Sequence, residues 1–286
     1  SSPKEPGRIR LKKIFGAADT ASDRRWEFLI RGLYTAASGM LAEARRNDVI
    51  ANNLANVDTT GFKKDTAVVR SFGEMLLRRF HDPVELSDGQ REDPRPIIGS
   101  LGVGAGIDDT ATDFVAGPQT FTQNPMDLAL EGDGFFTVLT PRGERYTRNG
   151  AFNLNGEGIL VTSEGYPVLG ENGLITLREG EVSIDSSGQI SLGATVVDRL
   201  RTVQFADPRG LRKEGDSLWV ATPIAGPPAP SAEVAVKQGY REKSNVNVIR
   251  EMVDMITAVR AYEANQKMVQ AHDELLSKAV NQVGNV

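Results

Sequence analysis

The chain contains no cysteine among its 286 residues. That excludes a disulfide, a thiolate nucleophile and a zinc-thiolate centre, and it suits a polypeptide threaded unfolded through a secretion channel. Histidine occurs only as His81 and His272, too far apart to form a local metal-binding motif. No apolar run approaches the roughly 20 residues that span a bilayer, and the amino terminus lacks a continuous signal-peptide core, so export would need another route. Cationic excess is also missing. The formal charge is −5 and the pI about 5.3, which argues against a nucleic-acid backbone as the main partner.

Motifs of catalysis are equally scarce. There is neither a nucleophile elbow G-x-S-x-G nor an H-E-x-x-H helix. Gly99, Gly102, Gly104 and Gly106 match neither a complete dinucleotide nor a Walker fingerprint, and read as a loop or bulge. Glu131 and Asp133 are the best paired carboxylates. They are read as turn acids ahead of Phe135-Phe136 rather than as a glycosidase pair. No catalytic residue, cofactor or metal is expected.

What is present is ordinary for a folded protein: 40% hydrophobic and 25% charged residues. Ser1 to Phe28 stand apart, with seven Lys/Arg against four Asp/Glu, a net of +3 that leaves −8 for the remainder. The codons for Arg24-Arg25-Trp26-Glu27-Phe28 can resemble a bacterial ribosome-binding site, and Leu29 can be encoded by an alternative start codon. Residues 1–28 are therefore read as upstream sequence translated in frame, or else as a disordered basic tail.

Leu33, Ala37, Met40, Ala44, Ala51 and Leu54 recur in steps of three and four with Asn47 filling the gap, the narrow seam of a coiled coil. The helix is expected to stop at "NVDTTG", where Gly61 supplies a left-handed turn and Phe62 folds back as a clasp. Near the other end, Val248, Met252, Met255, Val259, Tyr262, Gln266, Val269, Asp273, Leu276 and Val280 repeat the pattern, with Ser244 or Asn245 as N-cap and Gly284 as the stop.

Between them lie short β-rich runs separated by Gly, Asn and Pro, the pattern of antiparallel hairpins. Strands are expected at 174–177, 181–184, 189–192, 200–205 and 217–220, and "TPIAGPPAPS" is read as a stiff connector. The expected fold is α+β: a discontinuous coiled-coil domain of N- and C-terminal helices with a mostly antiparallel β centre. The boundaries are residues 29–81 for the first helix and its turn, 82–235 for the β region and 236–286 for the second helix.

Three stretches carry a family resemblance. "LYTAASGM" followed by "ANNLANVDTTGFKKD" resembles the N-terminal signature of the flagellar rod and hook proteins. "NPMDLALEGDGFFTVLTPRGERYTRNGAFNLNGEGILVTSEGYPVLG" is similar to their β core, and "SNVNVIREMVDMITAVRAYEANQKMVQAHDELL" to their C-terminal helix. Within the family the core leans toward the FlgF branch, with the FlgG branch as close rival. Asp58 stands where the family motif usually has Asn.

The resemblance implies export through the flagellar type III apparatus without a cleaved signal peptide and assembly into a rod crossing the periplasm or cell-wall space. It implies partners that are other copies and related rod subunits, with no nucleic acid and no membrane insertion. The terminal helices would pair within a subunit and pack on neighbours. The expected subunit-interface residues are Leu33, Ala37, Met40, Ala44, Asn52, Asn53, Leu54, Asn56, Thr59, Gly61 and Phe62 at one end. At the other they are Asn245, Val248, Met252, Met255, Val259, Tyr262, Val269 and Leu276. The amides after the first helix are expected to bond backbone groups of the same and adjacent subunits. The competing class is a β module that binds or processes cell-wall glycan.

Overall fold

The structure is a computed structural model and describes residues 20–78, 84–85, 91–92, 96–177, 180, 182–231 and 234–283. His81 and Gly284 lie outside the described residues, as do residues 1–19 of the amino-terminal segment. Two helices bracket a mostly antiparallel β region: α1, Thr20–Ala55, and α2, Val248–Val283. Each has 36 residues, a length of about 54 Å at the standard rise.

The N-cap of α2 differs from the expectation of Ser244 or Asn245. Asn247 fills it: its Oδ1 accepts the Arg250 amide at 3.1 Å and its carbonyl accepts that of Glu251 at 3.0 Å. Ser244 and Asn245 lie too early, and Asn245 spends its amide on other parts of the chain. Glu251 in the first turn complements the positive end of the helix dipole. At the end of α1, the Asn56 side chain donates to the Asn52 carbonyl at 2.9 Å, and Gly61 turns the chain at φ +66° as expected.

The chain divides into two compact units. One comprises the described residues within 20–42, 70–106 and 261–283. Its main β element is a ribbon of Met75–Arg78 paired antiparallel with Ile97–Leu101, so Gly99, read as part of a loop or bulge, lies in a strand opposite Leu77.

The other unit comprises residues 43–69 and 107–260. Its six-stranded sheet runs in the order Leu211–Gly215, Leu218–Ala221, Gly143–Thr147, Phe135–Thr140, Thr202–Gln204, Ala229–Pro230. A second sheet holds Val182–Ile184, Gln189–Leu192 and Thr195–Arg199. The alternation of FFTVLT and GERYT sends side chains to both faces, and both are covered. Phe136, Val138, Phe152, Ile175 and Ile190 belong to one core cluster, while Phe135, Tyr146, Phe205 and Trp219 belong to another. Phe136 and Phe152 meet edge-to-face at 5.1 Å, and Phe135 and Trp219 at 5.7 Å.

Gln189–Leu192 forms where expected, and Val182–Ile184, Thr202–Gln204 and Leu218–Ala221 form within two residues of expectation. The run 174–177 does not make a strand of its own. Gly173–Leu174 pairs with Leu169–Gly170, and Thr176 makes only an isolated bridge to Ile159. The proline-rich connector contributes Ala229–Pro230 as an edge strand, the place in a sheet where a residue without an N–H is tolerated. Ahead of α2, Ala235–Gln238 and Tyr240–Glu242 pair with Leu128–Glu131 and Gln119–Phe121.

Candidate assembly interface

The turn after α1 delivers Gly61, Phe62 and Lys63 into the second unit. Gly61 donates its N–H to the Glu242 carbonyl at 2.8 Å, and a Cβ on it would lie 2.4 Å from the Arg148 carbonyl carbon. Only glycine supplies both the positive φ and the space. Phe62 is buried, with the Lys213 ammonium 4.2 Å from its ring centroid.

Lys63 then enters a buried ionic cluster. Its Nζ donates to Glu242 Oε1 at 2.6 Å and to the Val115 carbonyl at 2.9 Å. The Gly117 amide donates to the same carboxylate oxygen at 3.0 Å, and Arg148 Nε stands 3.6 Å from Glu242 Oε2. Arg148 Nη2 also donates to the Gly132 carbonyl at 2.7 Å. Two cations thus share one carboxylate away from water. Burial pulls the Lys63 ammonium below the usual lysine value, with Glu242 opposing the shift, and burial likewise lowers Arg148.

A second polar layer joins α1 to α2. Asn53, 1% exposed, brackets the backbone of Asp65: Nδ2 donates to its carbonyl at 2.8 Å and Oδ1 accepts its N–H at 2.9 Å. The same Nδ2 lies 3.2 Å from Glu251 Oε2, and Lys64 Nζ lies 3.3 Å from Glu251 Oε1. Asn245 accepts the Lys64 amide at 2.8 Å and donates to the Asp113 carbonyl at 2.8 Å. The amides of Asn53, Asn56 and Asn245 are therefore engaged within one chain. Asn52 is exposed, and Thr59 donates to Asn56 Oδ1 at 3.1 Å.

The apolar seam residues are less covered. Leu33, Ala37, Met40, Ala44 and Leu54 on α1 and Val248, Met255, Val269 and Leu276 on α2 are half-buried, while Met252, Val259 and Tyr262 are exposed. Among the described side chains, the most buried positions of α1 are Ala36, Ala42, Ile50 and Asn53, and those of α2 are Glu251 and Ala258. Sequence reasoning did not single out Ile249, Val253 and Ile256, which are 76%, 56% and 54% exposed. With Met252 and Val259 they follow the i, i+3, i+4, i+7 spacing of a single stripe. Residues 249–259 of α2 thus present a contiguous exposed apolar stripe.

Three segments of this chain match described families. Residues 33–63 match "Flagella basal body rod protein", 129–192 match "Flagellar hook protein FlgE/F/G D1 domain", and 237–283 match "Flagellar basal body rod FlgEFG protein C-terminal". The chain is 39% identical over 271 residues to the flagellar basal-body rod protein FlgG of Borreliella burgdorferi, an alignment covering 88% of this chain and 98% of that protein. This chain belongs to the flagellar basal-body rod family. Two other members show the same breadth. The rod protein FlgF of Caulobacter vibrioides is 37% identical, covering 89% of this chain and 98% of its own length. The flagellar hook-basal body complex protein FlhO of Bacillus subtilis is 32% identical, covering 90% and 100%. The first and last family matches end and begin beside the ionic cluster: Lys63 closes one, and Glu242 lies near the start of the other.

Proposed function

We propose that this chain is a structural subunit of the flagellar basal-body rod, of the proximal FlgF type, that polymerises with copies of itself and related rod subunits into the tube transmitting motor torque. The observation that carries the reading is the exposed stripe of Ile249, Met252, Val253, Ile256 and Val259 on α2. Five apolar side chains open to water along one helix face are covered at low cost by companion helices in a polymer. Export through the flagellar type III apparatus and residence in the periplasmic or cell-wall space follow from the same reading. So does a role without catalysis, cofactor, nucleic acid or membrane insertion.

Two features support a mechanical role. Glu131 and Asp133 are both exposed, and Glu131 is ion-paired with Lys237 at 2.9 Å, as turn acids on a solvated surface are. The buried Lys63–Glu242–Arg148 cluster fastens the chain that follows α1 to the strand that precedes α2, which suits load carried through the helices. The 39% identity to a FlgG protein favours, as second reading, a place in the distal rod.

The test is deletion of residues 245–286 from a tagged chain in a flagellated host. A rod subunit requires that the full-length chain co-purify with basal bodies and that the truncated chain, with its β region still folded, fail to do so. Normal flagella in the absence of the chain would overturn the reading.

A further inference from the structure

Within the first unit, α1 and α2 meet where α1 has no side chain. A Cβ on Gly32 would lie 2.4 Å from His272 Nε2, and one on Gly39 would lie 2.9 Å from Asn265 Nδ2. Gly32 and Gly39 are seven residues apart, and so, in the reverse direction, are His272 and Asn265. Within the second unit the Asn53–Glu251 hydrogen bond stands two heptads beyond Gly39 on α1 and two heptads before Asn265 on α2. All three contacts share one antiparallel register. That register sets Arg46 opposite Ala258, which is fully buried.

We propose that α1 and α2 of this chain are held in a single antiparallel register by this seam of glycine cradles and polar knobs, Gly32 with His272, Gly39 with Asn265 and Asn53 with Glu251, and not by their apolar residues. The inference goes beyond the rod reading, because it concerns how one subunit selects its own helix pairing. The apolar positions Leu33 and Met40 follow Gly32 and Gly39 by one residue, and Met252 and Val259 follow Glu251 and Ala258 by one. An all-apolar seam is satisfied almost equally after a slip of one heptad. A polar seam is not. Slipping α2 by seven residues in either direction breaks the Asn53–Glu251 bond and leaves the Asn53 amide without that carboxylate. It also places Asn265 or Ala258, rather than the matched side chain, against a glycine cradle or moves a polar knob onto Arg46. The seam thereby specifies register while leaving the outward stripe of α2 free for other copies.

The absence of cysteine makes cross-linking decisive. Ala36 and Met268 line the same cleft of about 430 Å3 in the first unit and lie in the proposed register. The full-length chain carrying Ala36→Cys with Met268→Cys is compared with Ala36→Cys with Ala261→Cys and Ala36→Cys with Leu275→Cys, each one heptad out of register. Mild oxidation is applied to the free chain and to purified basal bodies. The in-register pair is expected to cross-link at least tenfold faster, on the scale of the distance limits for disulfides. Adding Gly32→Leu and Gly39→Leu, which raise intrinsic helix propensity, is expected to abolish the preference, whereas Leu41→Ala at an exposed position keeps it. Equal rates for the three pairs, or a preference unchanged by the two leucines, would overturn the proposal. A chain missing from basal bodies but still cross-linking in register would refute the rod reading alone.

Discussion

The ammonium of Lys63 stands 2.6 Å from Oε1 of Glu242, and both side chains are sealed from water. One residue follows the turn after α1 and the other ends the last strand before α2, so a contact across 179 positions of sequence ties the two ends of the β region together. Arg148 makes the cluster asymmetric. Removing Glu242 leaves two buried cations, whereas removing Lys63 leaves the carboxylate with a cation still 3.6 Å away.

Glu242→Gln is accordingly expected to destabilise the second unit by about 3–5 kcal/mol, the usual effect of stripping one partner from a buried pair. Lys63→Met should cost less, and Lys63→Met with Glu242→Leu should recover part of the loss. Urea unfolding of the three variants measures the order, and an equal, small effect for both single substitutions would contradict it.

Asn53 and Asn52 separate folding from assembly. Asn53→Ala leaves the Asp65 N–H and carbonyl without their partners, at a cost on the order of 2–3 kcal/mol. Asn52→Ala, at an exposed position, should stay within about 0.5 kcal/mol of the parent. Any assembly defect of Asn52→Ala then reports on contacts between subunits, as read from incorporation into basal bodies alongside thermal melting.

Gly61→Ala combines two penalties. It forces a Cβ onto the backbone of Arg148 and Asn149 and places alanine at φ +66°. A loss of roughly 3 kcal/mol is expected. Gly156, whose Cβ would meet nothing within 4 Å, should accept alanine with little change in the same melting experiment.

The acid limb of stability has an identifiable contributor. Hydrogen bonds from Arg145 and then Arg142 hold the Glu214 carboxyl at about 2, against 4.5 for the free group. Because the folded value is depressed, the stabilisation is complete above pH 4.5 and fades as pH falls toward 2. Glu214→Gln should therefore be less stable than the parent near neutrality, and the difference should vanish by pH 2. A difference that persists unchanged to pH 2 would assign the contribution elsewhere.

Much of this arrangement is legible in the sequence, and the exceptions share a physical origin. The two long helices, the stop at Gly61 and the hairpins around "FFTVLT" and "ERYT" follow from periodicity and turn chemistry, which are local. The strands 195–199, 211–215, 235–238 and 240–242 are polar or mixed, so no apolar alternation announces them; they form because partners distant in sequence supply the pairing. The same limit applies at the candidate interface. Hydrophobic spacing marks the greasy positions of each helix, yet the face that closes on the rest of the chain carries, besides Ile50, mainly Gly, Asn, His, Glu and Ala. Lys63, Arg148 and Glu242 look in sequence like solvated charges. Only their convergence in three dimensions makes them a buried cluster.

The central claim is that the outward stripe of α2 is covered by companion copies in a rod. Single cysteines replacing Val253 and Ile256, with Asn155→Cys as an exposed control, can be probed with a maleimide in the free chain and in purified basal bodies. A rod subunit of this kind predicts rapid labelling at all three positions in the free chain and protection at 253 and 256, but not at 155, after assembly. Equal labelling of 253 and 256 in both states would contradict it.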